Sequence, residues 1–256
     1  MTFKGIDISE WQGSFSIDKI KDKIDFCIIR AGNTLYGGSG TTKHKDNRFE
    51  DNYRKCKAAG VPVGCYWYSC ANSTAKGQAE AEYLYKNCLK GKQFEYPIFI
   101  DVENSQWQKN KKNTTDAIIA FCEYLESLGY FAGVYASLSW FNNYIDISRT
   151  NKYLRWVAAW QSSKPSTSWK YGLWQYSSKL SMNGMNVDGD YSYSDYAQII
   201  KDGGFNGFPK KEPEPEPVPD PQPDPEPYVV DFTVGDMYKI TDINGNVLTM
   251  QKIEKE

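Results

Sequence analysis

Between Pro209 and Pro227, nine of nineteen residues are proline, most of them alternating with Glu or Asp. Proline locks φ and removes a backbone donor, so this run can neither join a sheet nor extend a helix. Repulsion between its carboxylates stiffens it, and an extended polyproline II spacer of this length reaches roughly 55–60 Å at about 3.1 Å per residue. The run therefore divides the chain into three parts. Any large core must come from residues 1–208; residues 209–227 form an extended linker; residues 228–256 are a small separate segment.

The segment before the linker is long enough to bury a full core, and 40% of the whole chain is hydrophobic against 24% charged. Strand-like runs occur at 3–9, 25–31, 62–68, 96–103, 130–136, 154–160 and 171–177, with a less regular one near 185–191. Helix-favouring stretches lie between several of them, at 46–59, 73–90, 114–128 and 194–202. Strand-then-helix alternation argues for an α/β fold with a parallel sheet, and eight candidate strands favour closure into a β/α barrel of the TIM type. Helix cover after the last strands is thin, so the expected barrel is irregular, with fewer helices than strands.

After the linker, Tyr238-Lys239-Ile240-Thr241 and Val247-Leu248-Thr249-Met250 flank Asn244-Gly245, a pair suited to a tight β-hairpin turn. Twenty-nine residues are too few for an independent core, which points to docking or self-association of this tail.

The net charge of −2 conceals an uneven distribution. Residues 212–227 carry six acids and no base, and residues 228–256 carry five acids against three bases. Residues 1–211 are left with 27 bases against 21 acids. A basic body suits a polyanionic substrate, and it equally fits an ordinary solvated surface.

The six cysteines (Cys27, Cys56, Cys65, Cys70, Cys88 and Cys122) include no CxxC pair, and the single histidine, His44, lies in a polar stretch. That removes zinc-ligand spacing and argues against a Cys–His or Ser–His nucleophile. Most of these thiols fall inside apolar runs, as reduced core residues of a cytosolically made protein would. No metal and no cofactor is expected. No run approaches the roughly 18–20 apolar residues that span a bilayer, and the opening Met-Thr-Phe-Lys-Gly-Ile-Asp lacks the pattern of a signal peptide. Membrane insertion and nucleic-acid binding are not expected, and any action outside the cell requires another route of release.

The sharpest chemical feature is Tyr96-Pro97-Ile98-Phe99-Ile100-Asp101-Val102-Glu103-Asn104. On a strand, alternate residues share a face, so Asp101 and Glu103 fall together, their Cβ atoms roughly 6–7 Å apart by the strand rise. They sit at the C-terminal end of the fourth strand, where barrel enzymes keep their active sites. Two close carboxyls raise each other's pKa, giving the protonated acid and charged partner that glycoside hydrolysis uses. A strand end carrying solvated acids has the same pattern, and this segment alone does not separate the two.

Further acids fall at comparable places. Asp7 lies between Ile6 and Ile8 near the end of the first strand, and Asn186-Val187-Asp188-Gly189-Asp190 ends the last candidate strand. In a barrel the first, fourth and eighth strand ends meet at one mouth. Eight Trp and nineteen Tyr are many for this length. They gather near strand ends at Trp11, Tyr66-Trp67-Tyr68, Tyr135, Trp156, Trp160 and Trp174-Gln175-Tyr176. Aromatic rings stack on sugar faces while amides bond hydroxyl and acetamido groups, although about half of these rings, Trp156 among them, are expected to serve the core.

These segments carry a resemblance. Gly5-Ile6-Asp7-Ile8-Ser9 with Trp11-Gln12-Gly13 resembles the opening motif of glycoside hydrolase family 25, the Chalaropsis-type lysozymes. Phe26-Cys27-Ile28-Ile29-Arg30-Ala31 and Ala59-Gly60-Val61-Pro62-Val63-Gly64-Cys65-Tyr66 resemble its second and third strands. Ile100-Asp101-Val102-Glu103, Leu173-Trp174-Gln175-Tyr176 and Asn186-Val187-Asp188 resemble its acidic, penultimate and last strands, so the likeness spans about residues 3–200 in order.

The resemblance implies an N-acetylmuramidase that cleaves β-1,4 bonds between N-acetylmuramic acid and N-acetylglucosamine in bacterial peptidoglycan. It implies Glu103 as general acid, Asp101 as its partner, and Asp7 and Asp188 lining the subsites. Tyr66, Trp67, Tyr68, Tyr135, Trp160, Trp174, Gln175, Arg30 and Asp190 are the expected substrate-binding residues. Two positions depart from the family pattern: Trp67 stands where a His is usual, and Asp188 is followed by Gly189-Asp190 instead of an apolar residue. Which of Asp188 and Asp190 faces the cleft stays open, as does the stereochemical course. A proline-rich spacer after such a domain resembles phage endolysins, which implies release by lysis and a wall-targeting tail. A non-catalytic wall-binding barrel, and a chitinase or N-acetylglucosaminidase, are the competing functions.

Overall fold

The computed structural model describes residues 1–35, 38 and 40–210, together with the backbone of residues 239–241 and 247–249. The chain divides into two units, Met1–Glu212 and Pro213–Glu256. In the second unit, Lys239–Thr241 and Val247–Thr249 pair antiparallel, with Ile240 opposite Leu248. Most of the linker and the Asn244-Gly245 turn lie outside the described residues.

The described residues of the first unit form nine strands: β1 (Phe3–Ile8), β2 (Phe26–Asn33), β3 (His44–Lys45), β4 (Val63–Tyr68), β5 (Ile98–Asp101), β6 (Ala132–Ser137), β7 (Leu154–Ala158), β8 (Leu173–Met182) and β9 (Met185–Ser192). All except the two-residue β3 join in a closed ring, in which β1 pairs with β2 on one side and β9 on the other. Every strand expected from the sequence is present in this irregular barrel.

One expectation needs correction. The ring is parallel from β1 through β8, but β9 runs antiparallel to both neighbours. The cause is local. Asn183 and Gly184 both have positive φ (49° and 78°), and Met182 pairs directly with Met185. That is a two-residue hairpin, which returns the chain at once instead of through a crossover helix. The acidic cluster therefore does not end the last strand. β9 starts near the mouth and carries Asp188, then Asp190, down into the barrel.

Helices cover only part of the outside: α1 (Phe49–Ala59), α2 (Thr74–Leu84), α3 (Lys111–Ser127), α4 (Leu138–Asn143) and α5 (Tyr196–Gly203). Ser73, Asn110, Ser137 and Asp195 cap α2, α3, α4 and α5 by accepting an orphan backbone N–H in the first turn. The strands β3 and the short α4 have no counterpart in the sequence reading. No helix among the described residues is long and apolar enough to cross a membrane.

Strand alternation sorts the core into two layers. Ile6, Ile29, Cys65, Ile100, Val134 and Val157 face outward into the layer beneath the helices. Phe26, Ile28, Phe99, Tyr135, Trp156 and Leu173 face inward and fill the barrel with Tyr96, Tyr196 and Ile200. Phe26 stacks on Tyr96 at 4.3 Å. Gly5 makes room for this stack, since a Cβ there would lie 2.4 Å from the Phe26 ring. Filling the lower barrel with rings leaves its polar upper end open.

Candidate active site

A cavity of about 220 Å³ opens at the C-terminal end of the parallel strands. Asp7, Asp101, Glu103 and Asp188 line it, with Arg30, Tyr66, Tyr68, Tyr135, Trp156 and Gln175, and Trp11 stands at its edge. The four acids come from β1, from the end of β5 and just beyond it, and from β9. Closure of the ring is what unites them.

Asp101 is the last residue of β5, so the strand is shorter than expected and Glu103 stands just beyond it. The backbone stays ordered there because Val102 N–H donates to Tyr135 O at 2.9 Å. Asn104 then locks the turn: its Oδ1 accepts from Gln106 N and Trp107 N, while its own N–H donates to Gln108 Oε1. Gln108 is anchored in turn to Ser69 Oγ and Ala71 O. The two carboxyls thus end in different surroundings. Asp101 is 3% exposed and its Oδ1 receives no hydrogen bond from the described residues, whereas Glu103 is exposed at the mouth.

Asp7 and Asp188 face each other in the β1–β9 register. Asp7 Oδ2 accepts from Gln175 Nε2 at 2.8 Å. Gln175 Oε1 accepts from the Tyr135 hydroxyl and the Trp160 indole, each at 3.0 Å. Across the cavity, Arg30 donates from Nε to Asp46 Oδ2 at 2.7 Å and from Nη2 to Glu10 Oε1 at 2.6 Å, which fixes its guanidinium in the wall.

This crowding changes the acids. Burial pushes Asp7 well above the usual carboxylate range, and the charges of Asp190 and Asp188 add to it. Burial also raises Asp101 well above that range, helped by Glu103 and opposed by Arg30. Glu103 is raised by desolvation within the cleft and then by Asp188. Burial lifts Asp188 to about 6. Acids this close cannot all be charged at neutral pH, so the site holds protons ready for transfer. Among the described residues, no group of three or more His, Cys, Asp or Glu is placed to hold a metal ion.

The structure sorts the expected binding residues. Arg30, Tyr66, Tyr68, Tyr135 and Gln175 meet at the cavity. Trp160 stands beside it, 65% exposed and oriented by Gln175. Trp67 and Trp174 do not belong there. Both lie on outward-facing positions of β4 and β8, in the layer beneath the helices. Trp67 is fully buried with its indole on Thr34 Oγ1, and Trp174 donates to Ala159 O. Their inward neighbours Tyr66, Tyr68 and Gln175 occupy the site instead, as strand alternation requires. Asp190 is corrected too: it is fully buried below the cavity, with Oδ1 accepting from the Trp156 indole at 2.8 Å. Asp188 is therefore the acid that faces the cleft.

Trp11, one of the clustered aromatics and part of the opening motif but not among the expected binding residues, lines the cavity while 79% exposed. A capping box holds it there, with Ser9 N–H donating to Gln12 Oε1 and Trp11 N–H donating to Ser9 Oγ. The Ser9-x-x-Gln12 spacing was the available signal. Trp156, expected in the core, is 1% exposed and also forms part of the cavity floor.

Known proteins resemble the chain in sequence and in fold. The autolytic lysozyme of Clostridium acetobutylicum is 29% identical over 203 residues, covering 78% of this chain and 58% of its own length. Lysozyme M1 of Streptomyces globisporus is 27% identical over 217 residues, covering 73% of this chain and 66% of its own length. The chain thus spans about three fifths to two thirds of these curated relatives. The catalytic domain of endolysin ply40, from bacteriophage P40 of Listeria monocytogenes, superposes with a TM-score of 0.62 at 27% identity, covering 78% of this chain and 97% of that one. The family model described as glycosyl hydrolases family 25 matches residues 6–185, from β1 through the first residue of β9. On that match and this barrel, the chain belongs to glycosyl hydrolase family 25.

Proposed function

We propose that the chain is a peptidoglycan muramidase, a lysozyme that cleaves the β-1,4 bond from N-acetylmuramic acid to N-acetylglucosamine. The observation that carries the reading is the contrast between two neighbouring acids: an exposed Glu103 at the mouth, and a buried Asp101 whose Oδ1 has no donor. Glu103, with its raised pKa, is suited to hold a proton and deliver it to the glycosidic oxygen as the bond breaks. Asp101 Oδ1 is suited to accept a hydrogen bond from the acetamido N–H of the sugar that becomes the new reducing end. Held in this way, the acetamido oxygen attacks the anomeric carbon as the leaving sugar departs. Water then opens the oxazolinium ring, with Glu103 taking a proton from it and the acetamido group restored.

Asp7 and Asp188 face the same sugar from the opposite wall. Trp11 and Trp160 offer rings at the rim, and Tyr66, Tyr68, Tyr135, Gln175 and Arg30 supply the polar contacts. In this reading residues 1–208 carry the chemistry, residues 209–227 are a spacer, and residues 228–256 direct the protein to the wall or self-associate. The substrate places its action at the bacterial cell wall, and the lysozyme and endolysin names of its relatives favour the same destination. Purified, protein-free peptidoglycan incubated with the chain should gain new reducing ends and lose turbidity. Intact glycan strands after prolonged incubation at pH 5–7 would refute the activity.

A further inference from the structure

Beneath the cavity lies a carboxyl that the proposed reaction does not use. Asp190 has no solvent exposure, and its Oδ1 accepts from the Trp156 indole at 2.8 Å. Its Oδ2 is buried and receives no hydrogen bond from any N–H or O–H of the described residues. The β1–β9 register sets Asp190 opposite Gly5 and Asp188 opposite Asp7, so all three acids share the inner face of two neighbouring strands. The Asp7 carboxyl interacts with both Asp190 and Asp188, and of these two Asp190 is the one with no exposure and an unpartnered buried oxygen. Two bare carboxylates do not rest side by side without a counter-ion in such a place, because burial penalises the charge and each repels the other.

We propose that Asp190 is a positioning residue: it and Asp7 hold one proton between them, in a hydrogen bond that fixes the Asp7 carboxyl on the cleft wall. Gln175 steadies Asp7 from β8 and the shared proton steadies it from below, so its free lone pairs point into the cavity. The floor then carries one negative charge instead of two.

The groups facing this pair are consistent with a single exchangeable proton. Asp188 adjoins from β9, Cys27 and Arg30 belong to β2, Tyr66 to β4, Tyr135 to β6 and Tyr176 to β8. Cys27, Tyr66, Tyr135 and Tyr176 are all displaced upward by burial, and Arg30 stays charged, so none of them loses a proton near neutrality. Burial carries Asp190 to about 8 and Asp188 only to about 6.

The inference rests on the cleft being the muramidase site, but its first test needs no substrate. In the 15N-labelled protein the Trp156 indole N–H should shift with pH, with a midpoint near 8, and Asp190→Asn should abolish that shift. Asparagine copies a protonated acid, since its carbonyl can accept from Trp156 while its amide donates to Asp7. Asp190→Asn should therefore keep kcat on peptidoglycan within about threefold, with the alkaline limb of its pH profile displaced upward. Asp190→Leu, of similar size but with no donor, should lose roughly tenfold in kcat at unchanged KM, as when a buried partner is left unpaired. A Trp156 signal that stays still between pH 5 and 9 would overturn the shared proton. So would an asparagine variant as impaired as the leucine variant. Failure of all the proteins, wild type included, to cleave walls would count against the muramidase reading and leave the indole titration to decide this one.

Discussion

Gln175 and Asp7, 168 residues apart in the chain, are joined by a 2.8 Å hydrogen bond from the Gln175 amide to Oδ2 of the carboxyl. The same amide accepts from Tyr135 and Trp160, so one side chain ties the acid of β1 to a wall residue of β6 and a ring at the rim. Gln175→Leu keeps the volume and removes all three bonds. It should lower unfolding stability by about 1–3 kcal/mol, the cost of leaving buried polar partners unpaired, and should raise KM by freeing Trp160. Urea unfolding with steady-state kinetics measures both. A variant with native stability and KM would show that the network does not order the cleft.

Glu103→Gln addresses the proton donor. Glu103 is exposed and its side chain makes no hydrogen bond among the described residues, so the melting temperature should hardly change. Wall cleavage should fall by about 10²–10⁴, the usual contribution of a positioned general acid. Turnover near the wild-type rate would transfer the role to another group.

For Asp101, the question is whether the substrate's acetamido group is the nucleophile. Asp101→Asn should cost about 10²–10³ in kcat, comparable to losing one preorganised electrostatic partner. Proton NMR at early times should show product of retained β configuration, and walls lacking N-acetyl groups on muramic acid should be nearly inert. First appearance of the α anomer would instead assign a base role to Asp7 or Asp188.

The acid cluster also sets how stability varies with pH. Asp7, Asp101, Asp188 and Asp190 have folded-state pKa values raised by burial, Asp188 to about 6 and Asp190 to about 8, and Glu80 beneath the Asn104 turn is raised by burial to about 7. Above about pH 4 the unfolded chain has released these protons while the native state keeps them. Stability therefore falls as pH rises through that window, by about 1.4 kcal/mol per pH unit for each proton retained. The lowered acids, such as Asp18, Asp51 and Asp116, act in the opposite direction only below that window. The melting temperature should thus be higher at pH 5 than at pH 8. The reverse order would mean that the buried acids are ionised in the native protein.

Much of this site was legible in the sequence because strands alternate. Asp7 between two isoleucines, and Asp101 and Glu103 on either side of Val102, announced their faces before any pairing was known. The same rule, followed strictly, would have removed Trp67 and Trp174, which sit one residue out of phase with Tyr66, Tyr68 and Gln175. The direction of β9 is also written in the chain, in Asn183-Gly184, a turn signal between the run at 171–177 and the less regular one near 185–191. Other features were not legible. That Gln175 bonds Asp7, or that Asp190 lies under Trp156, depends on ring closure between the first strand and the last, and no local pattern encodes such a contact.

Identifying the new reducing end tests the central claim most directly. Peptidoglycan digested by the chain is reduced with borohydride, hydrolysed, and its amino sugar alcohols are separated. A muramidase frees the reducing end of N-acetylmuramic acid, which the borohydride then converts to muramitol while glucosamine stays unreduced, and muramitol is the result expected here. Glucosaminitol in its place would contradict the account, because the bond cleaved would then be the one on the other side of the muramic acid residue.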